Sequence, residues 1–125
     1  MRDGNGLPQG WAVATLGQVF EWSSGGTPDT HRREFFGGDI PWVNSGELQD
    51  SVLTEFQNTI SHAGLANSSA KWVQPGAVLI AMYGATIGKL GIAGARLTTN
   101  QAIAFTSPNP IETKYLFYYL LGRRN

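Results

Sequence analysis

The chain has 125 residues, of which 42% are apolar and 14% charged, with a formal net charge of zero and no cysteine. That is enough for one domain with one core, and too apolar and aromatic for a disordered segment. The same figures exclude a disulfide framework and a thiolate metal site, and they count against holding nucleic acid by bulk charge alone. Arg2 and Asp3 precede no apolar signal region, so the cytoplasm is the expected compartment.

Met1 to Gly6 is polar and Gly-rich and is expected to be mobile. Leu7-Pro8-Gln9-Gly10-Trp11 reads as a turn, and Trp11 with Val13 as a short edge strand. Thr15 is placed to N-cap a helix whose apolar face is Leu16, Val19 and Phe20, with Trp22 extending it. Ser23 to Pro28 ends that helix, because Gly25-Gly26 is a stop signal and Thr27 before Pro28 is driven extended. The Thr27 hydroxyl beside two glycine N–H groups can hold a phosphate oxygen; the commoner use of such residues is a cap and turn.

Asp29 to Glu34 is charged and expected to be solvated, and its Arg32-Arg33 pair can either touch phosphate or simply face water. Phe35 to Asp39 is an aromatic anchor and turn. Ile40 to Val43 is a short strand that Pro41 confines to an edge or to its first residues. Asn44 to Leu48 is a polar turn. Gln49 to Ser61 is the least regular section, with Val52, Leu53, Phe56 and Ile60 as apolar anchors. Ser61 or Thr59 can cap a helical turn through Ala63-Gly64-Leu65, and Asn67 to Ala70 offers a second capping sequence.

The chain is organised around Lys71 to Gln101. Pro75-Gly76 signals a turn, and the apolar run Ala77 to Tyr83 reads as a buried strand, too short for a membrane span. Gly84 to Lys89 is a tight connection to a second strand, Lys89 to Ala93. Thr98-Thr99-Asn100-Gln101 leads into a third, Ala102 to Phe105. Tyr83, Thr86, Lys89, Thr99, Asn100 and Gln101 stand at the corners. Near the end, Asn109-Pro110-Ile111-Glu112 is a helix start with Asn as N-cap and Pro at the first position. Tyr115, Leu116, Tyr118, Tyr119, Leu120 and Leu121 make this helix apolar on most sides, which calls for cover on several faces. Gly122 to Asn125 stops it, and apolar surface left uncovered there predicts self-association.

Catalytic signatures fail. Around Lys89 the phosphate-binding loop is broken twice, by Tyr83 at its first glycine and by Leu90 after the lysine. The dinucleotide pattern and the nucleophile elbow are absent, and Ser107-Pro108-Asn109-Pro110 does not match the Asn-Pro-Pro-aromatic tetrad of amino-methyltransferases. Asp29, Glu34 and Asp39 near His31 form a hydrolytic set only if a cleft gathers them.

In order along the chain stand Leu7-Pro8-x-Gly10-Trp11, Gly25-Gly26-Thr27-Pro28, Phe36-Gly37-Gly38-x-Ile40-Pro41-Trp42-Val43, and Ser45-Gly46-Glu47-Leu48. Thr59-Ile60-Ser61 with Gly64-Leu65, Ser68-Ser69-Ala70-Lys71, Gly76-x-Val78-Leu79-Ile80, Met82-Tyr83-Gly84-Ala85-Thr86-Ile87-Gly88-Lys89, Thr99-Asn100-Gln101-Ala102 and Tyr115-Leu116-x-Tyr118 follow. Together they cover nearly the whole chain and resemble the target recognition domain of type I restriction–modification specificity subunits. Glu47 departs mildly from the aspartate more usual there.

The resemblance implies an α+β fold, a small curved mixed β-sheet with short helices. It implies a non-catalytic component that reads one half of a bipartite double-stranded DNA target. S-adenosylmethionine would sit on a partner methyltransferase subunit that methylates adenine, and a restriction subunit can join. Family chains continue past the tyrosine-rich helix, so residues 1–125 are expected to be one recognition domain truncated at its C-terminus. The expected DNA-binding residues are Thr27, Arg32, Arg33, Ser45, Tyr83, Thr86, Lys89, Asn100 and Gln101. Residues common to a family that reads many targets cannot specify one. Tyr83 to Lys89 and Asn100-Gln101 are therefore expected at fold corners or on phosphates, and base reading in Asp29–Glu34, Gln49–Asn58 and Ala95–Leu97. A hydrogen-bonded network holding the strands is the other reading of Tyr83, Asn100 and Gln101. A truncated protein-interaction module without DNA binding is the rival function; zero net charge favours it, and it predicts scattered basic residues.

Overall fold

The apolar runs of the central stretch become the middle of a mixed sheet in the computed structural model, which describes residues 22–106 and 110–123. In chain order the strands are β1 (Trp22–Ser24), β2 (Phe36–Val43), β3 (Ser51–Leu53), β4 (Thr59–Ile60), β5 (Val78–Ala81), β6 (Leu90–Ala93), β7 (Thr98–Thr99) and β8 (Ile103–Thr106). The helices are α1 (His62–Ala66) and α2 (Pro110–Arg123), with short 3-10 turns at Arg33–Phe35 and Ser45–Glu47. The fold class is α+β, with the strands in two mixed sheets.

The larger sheet runs β1-β8-β5-β6-β3. Its neighbours are antiparallel except β3 and β6, which are parallel. β5 shows why the central run is continuously apolar. Successive side chains of a strand point to opposite faces, and here both faces are covered. Ala77, Leu79 and Ala81 face the main core with Leu53, Leu97, Ile103 and Phe105. Val78 and Ile80 face Leu116, Phe117, Leu120 and Leu121 of α2. The helix thus finds cover on the sheet for one side, while Tyr118 stays exposed.

Pro75-Gly76 begins β5 as the sequence implied. Ala77 N–H donates to the Gln74 carbonyl at 3.2 Å, and Gly76 has φ +94°, the central conformation a Pro-Gly turn requires. Of the two caps offered for α1, Ser61 serves: its Oγ accepts from Gly64 N–H at 3.1 Å and donates to the Glu34 carbonyl at 2.6 Å. No helix follows Asn67 to Ala70; there the Ser68 hydroxyl accepts from Ala70 N–H in a local turn.

The smaller sheet runs β4-β2-β7, and β2 lies in its middle rather than at an edge. Pro41 is tolerated because of the side it faces. Trp42 N–H points toward β4 and donates to the Asn58 carbonyl at 2.9 Å, so position 41 points toward β7, where pairing begins only at Trp42. The Pro41 carbonyl on that side is satisfied by the Thr98 hydroxyl at 2.8 Å. A bulge through Gly37 and Gly38 lets Phe36 and Ile40 both oppose Ile60. Ile40, Ile60 and Ala70 form a second core, with Phe36, Trp42, Leu65 and Trp72 packed on it.

Two differences from the sequence reading stand at the start of the chain. Trp22 extends no helix face; Trp22–Ser24 is strand β1, paired with Ala104 to Thr106. The turn at Leu7–Trp11, the strand at Trp11–Val13 and the helix through Leu16–Phe20 lie outside the described residues, as does Asn109. Among the described residues no helix is long and apolar enough to cross a membrane.

Candidate functional site

The polar corners converge on the turn between β2 and β3. Asn44 N–H donates to Glu47 Oε2 at 2.9 Å, closing the 3-10 turn on itself, and Asn58 Nδ2 reaches the same oxygen at 3.4 Å. Asn100 Nδ2 donates to Asn44 Oδ1 at 3.0 Å, and Asn100 Oδ1 accepts from Ala102 N–H at 3.2 Å. The Asn100 backbone N–H is held by the Val43 carbonyl at 3.0 Å. Thr86 reaches across from the β5–β6 connection, its hydroxyl donating to the Ser45 carbonyl at 3.1 Å. The Thr27 hydroxyl donates to Gln101 Oε1, and Trp42 Nε1 donates to the Gly26 carbonyl at 3.0 Å. Ser45, Thr86, Asn100, Gln101 and Thr27 therefore come together, although their partners are far apart in sequence.

The β5–β6 connection is a small rigid projection on this corner. Gly88 N–H bonds the Ala81 carbonyl, Lys89 N–H the Thr86 carbonyl, and Met82 N–H the Ala102 carbonyl. This fixed backbone presents Tyr83, 51% exposed, and Ile87, 65% exposed. At its base Lys89 Nζ lies 3.7 Å from Asp50 Oδ2, and the other oxygen of that carboxylate accepts from Leu90 N–H at 2.9 Å.

Of the expected site residues, Asn100 and Thr86 thus have their polar groups engaged within the fold. Tyr83 and Lys89 are exposed. Arg32 and Arg33 stand apart on the 3-10 turn before β2, where Arg32 Nε is 3.2 Å from Glu34 Oε2 and its guanidinium lies over Phe35. Within Ala95–Leu97, Leu97 cannot read a base: it is fully buried and bonded through both N–H and carbonyl to Val73. The segment Gln49–Asn58 is more open. A shallow cleft of about 340 Å³ opens there, lined by Glu47, Gln49, Ser51, Thr54, Glu55 and Gln57.

The hydrolytic reading loses its cleft. His31 Nδ1 is 3.2 Å from Asp29 Oδ1, but His31 is 93% exposed, and Asp39 lies beside His62 instead. The His31 backbone N–H, donating to Asp29 Oδ1 at 2.9 Å, holds that carboxyl below its ordinary range.

The family described as the type I restriction modification DNA specificity domain matches residues 8–124. The chain belongs to this family. It is 29% identical over 116 residues to the MjaIX type I restriction enzyme specificity subunit of Methanocaldococcus jannaschii, covering 90% of this chain and 27% of that one. A structure described as underlying complex assembly and conformational transition of the type I R-M system superposes with a TM-score of 0.60 at 26% identity, over 84% of this chain and 25% of the other. The HsdS subunit from Thermoanaerobacter tengcongensis gives a TM-score of 0.65 at 21% identity, again over 84% and 25%, and shares the fold. The specificity domain described here thus spans about a quarter of the length of these relatives.

Two features of this specificity domain are invisible in its sequence. Asn44 and Asn58 look like ordinary loop residues, yet they meet Asn100 and Glu47 across the fold. Arg96 stacks on Trp72, with Cζ 3.7 Å from the ring centroid. Only the basic residue in a short turn hinted at the latter.

Asn100 supplies a direct test of its assignment. Asn100→Ala removes a donor and an acceptor from a half-buried network and is expected to cost about 1–2 kcal/mol in urea denaturation. Unchanged stability with a large loss of DNA binding would instead place its amide on the ligand.

Proposed function

We propose that this chain is one recognition domain that reads half of a bipartite duplex DNA target, in the cytoplasm, as the specificity component of a type I restriction–modification complex. The observation that carries the reading is the family match over residues 8–124. The domain would dock on a methyltransferase subunit that holds S-adenosylmethionine and methylates adenine, and a restriction subunit can join that assembly. The chain itself performs no chemistry in this reading.

The division of labour follows from which polar groups are spent. Thr86 and Asn100 hold the corner rigid, as above. The exposed side chains beside them, Tyr83 and Lys89, with Ser45 and the Arg32-Arg33 pair, set register on the phosphates, while Thr27 and Gln101 bond each other. Base reading falls to the remainder of Asp29–Glu34 and to the cleft of Gln49–Asn58. Gln49 and Gln57 suit the paired donor and acceptor of adenine, and Glu55 suits the amino group of cytosine.

The protein-interaction module without DNA binding draws support from the cations. Arg32 is matched by Glu34 and Lys89 by Asp50, on separate elements. If DNA is bound nonetheless, few phosphates are neutralised, and the slope of log K against log salt should be shallow, about −2 to −4. Selection from a randomised duplex library, with the methyltransferase subunit of the same system present, tests the reading. Enrichment of a short motif, half a bipartite site, is the expected result. No retained duplex at low salt would favour the interaction module.

A further inference from the structure

We propose that Arg96 is a specificity-determining residue that reads a guanine in the half-site, held in place by the indole of Trp72. The assignment rests on the DNA-recognition reading above and adds to it a residue and a base.

Among the described cations Arg96 alone is oriented without spending a donor. Arg32 gives its Nε to Glu34, Lys71 Nζ donates to the Ser24 carbonyl at 2.8 Å, and Lys89 lies against Asp50. The Arg96 guanidinium is fixed by its face, with Cζ 3.7 Å from the Trp72 ring centroid, and no carboxylate among the described residues pairs with it. A stacked guanidinium keeps its N–H groups at the edge of its plane, away from the ring. Arg96 is exposed, so that edge faces solvent.

The platform beneath it is rigid. Trp72 packs on the second core beside Ile40, Ile60 and Ala70. The turn carrying Arg96 is tied at both ends. Gly94 N–H donates to the Leu53 carbonyl at 2.9 Å, and Leu97 exchanges bonds of 2.7 and 3.0 Å with Val73, the neighbour of Trp72. A long side chain held this way has given up much of its rotamer freedom before any ligand arrives.

Among base edges, a planar fork of fixed orientation matches one better than any other. Guanine presents O6 and N7 side by side in the major groove, and arginine bonds both at once. A phosphate can accept the same fork, and the two ligands part by sequence: a guanine contact fixes one position of the motif, whereas a phosphate contact weakens every sequence alike.

The test is duplex selection followed by binding, using the full chain with its methyltransferase subunit, in wild type, Arg96→Met and Arg96→Ala. The wild type should enrich a motif with guanine at one fixed position. Both variants should lose the preference at that position and keep it elsewhere, and should bind the wild-type motif about tenfold to a hundredfold more weakly. Arg96→Met keeps an aliphatic cover for Trp72 and removes every donor, so it decides the matter if Arg96→Ala melts at a lower temperature. An unchanged motif in Arg96→Met overturns the assignment while leaving the recognition reading intact. So does uniform weakening over all sequences with a salt slope reduced by about one, the mark of a phosphate contact. A wild type that enriches nothing overturns both.

Discussion

Gly25→Ala is expected to destabilise the fold by about 3 kcal/mol or more, lowering the melting temperature by about ten degrees or more. A Cβ at position 25 would run into the carbonyl oxygen and hydroxyl of Thr99 and lie 2.6 Å from the Thr99 carbonyl carbon. Two of the three atoms it meets are backbone, and Thr99 is fully buried in β7, so no flexible chain end can swing aside. The same strip of backbone is hydrogen bonded: Gly26 N–H donates to that carbonyl at 3.0 Å and Gly25 N–H to the Ile103 carbonyl at 3.4 Å. Moving the segment to admit a methyl group would break both bonds. Gly26→Ala should be comparably harmful, since its Cβ would lie 2.6 Å from Ala70 N. Gly46→Ala is the internal control. Its Cβ meets nothing within 4 Å, so the change should stay within about 0.5 kcal/mol. Equal stability of the position-25 and position-46 variants in urea would contradict this packing.

Leu79→Ala should cost about 2–5 kcal/mol. Leu79 is fully buried in β5, opposite Gly91 on β6 and Phe105 on β8, and it packs with the main core. Gly91 offers no side chain to collapse into the space, so much of the deleted volume should persist as a cavity, which places the loss toward the upper end of that range. The effect is large against the total stability of about 5–15 kcal/mol usual for such a domain. Val52→Ala is the matched comparison: Val52 is 54% exposed on β3 at the sheet edge and should cost less than about 0.5 kcal/mol. Denaturation midpoints compare the two directly, and similar losses would mean that β5 is not the centre of the core.

What could be read from sequence divides along a physical line. β5 was legible because its signals are local: a Pro-Gly turn, a continuous apolar run, then a glycine. β6 and β8 were legible for the same reason, to within a residue. β1 was not, because Trp22 to Ser24 has no strand pattern of its own and is fixed by pairing with Ala104 to Thr106, far along the chain. Pro41 argued for an edge, and only the side on which its missing N–H falls explains its place in a middle strand. Gly25-Gly26 stood out in the sequence as a helix stop, whereas the pair is needed for close approach, Gly25 to β7 and Gly26 to Ser69-Ala70. At the site, residue types alone could not separate Asn100, engaged with Asn44, from Tyr83, which is exposed. Both are polar corner residues, and the difference lies in partners more than fifty positions away. The Arg96–Trp72 stack was hidden likewise, since cation–π contact leaves no spacing signature.

In the proposed function, DNA binding is specific rather than electrostatic. The most direct test is the affinity ratio between the selected duplex and its shuffled sequence, measured by fluorescence anisotropy at rising salt with the methyltransferase subunit present. A ratio of about a hundredfold or more that persists as salt increases is expected, because base-edge bonds release few counterions. A ratio near one, with both affinities collapsing together as salt rises, would contradict it.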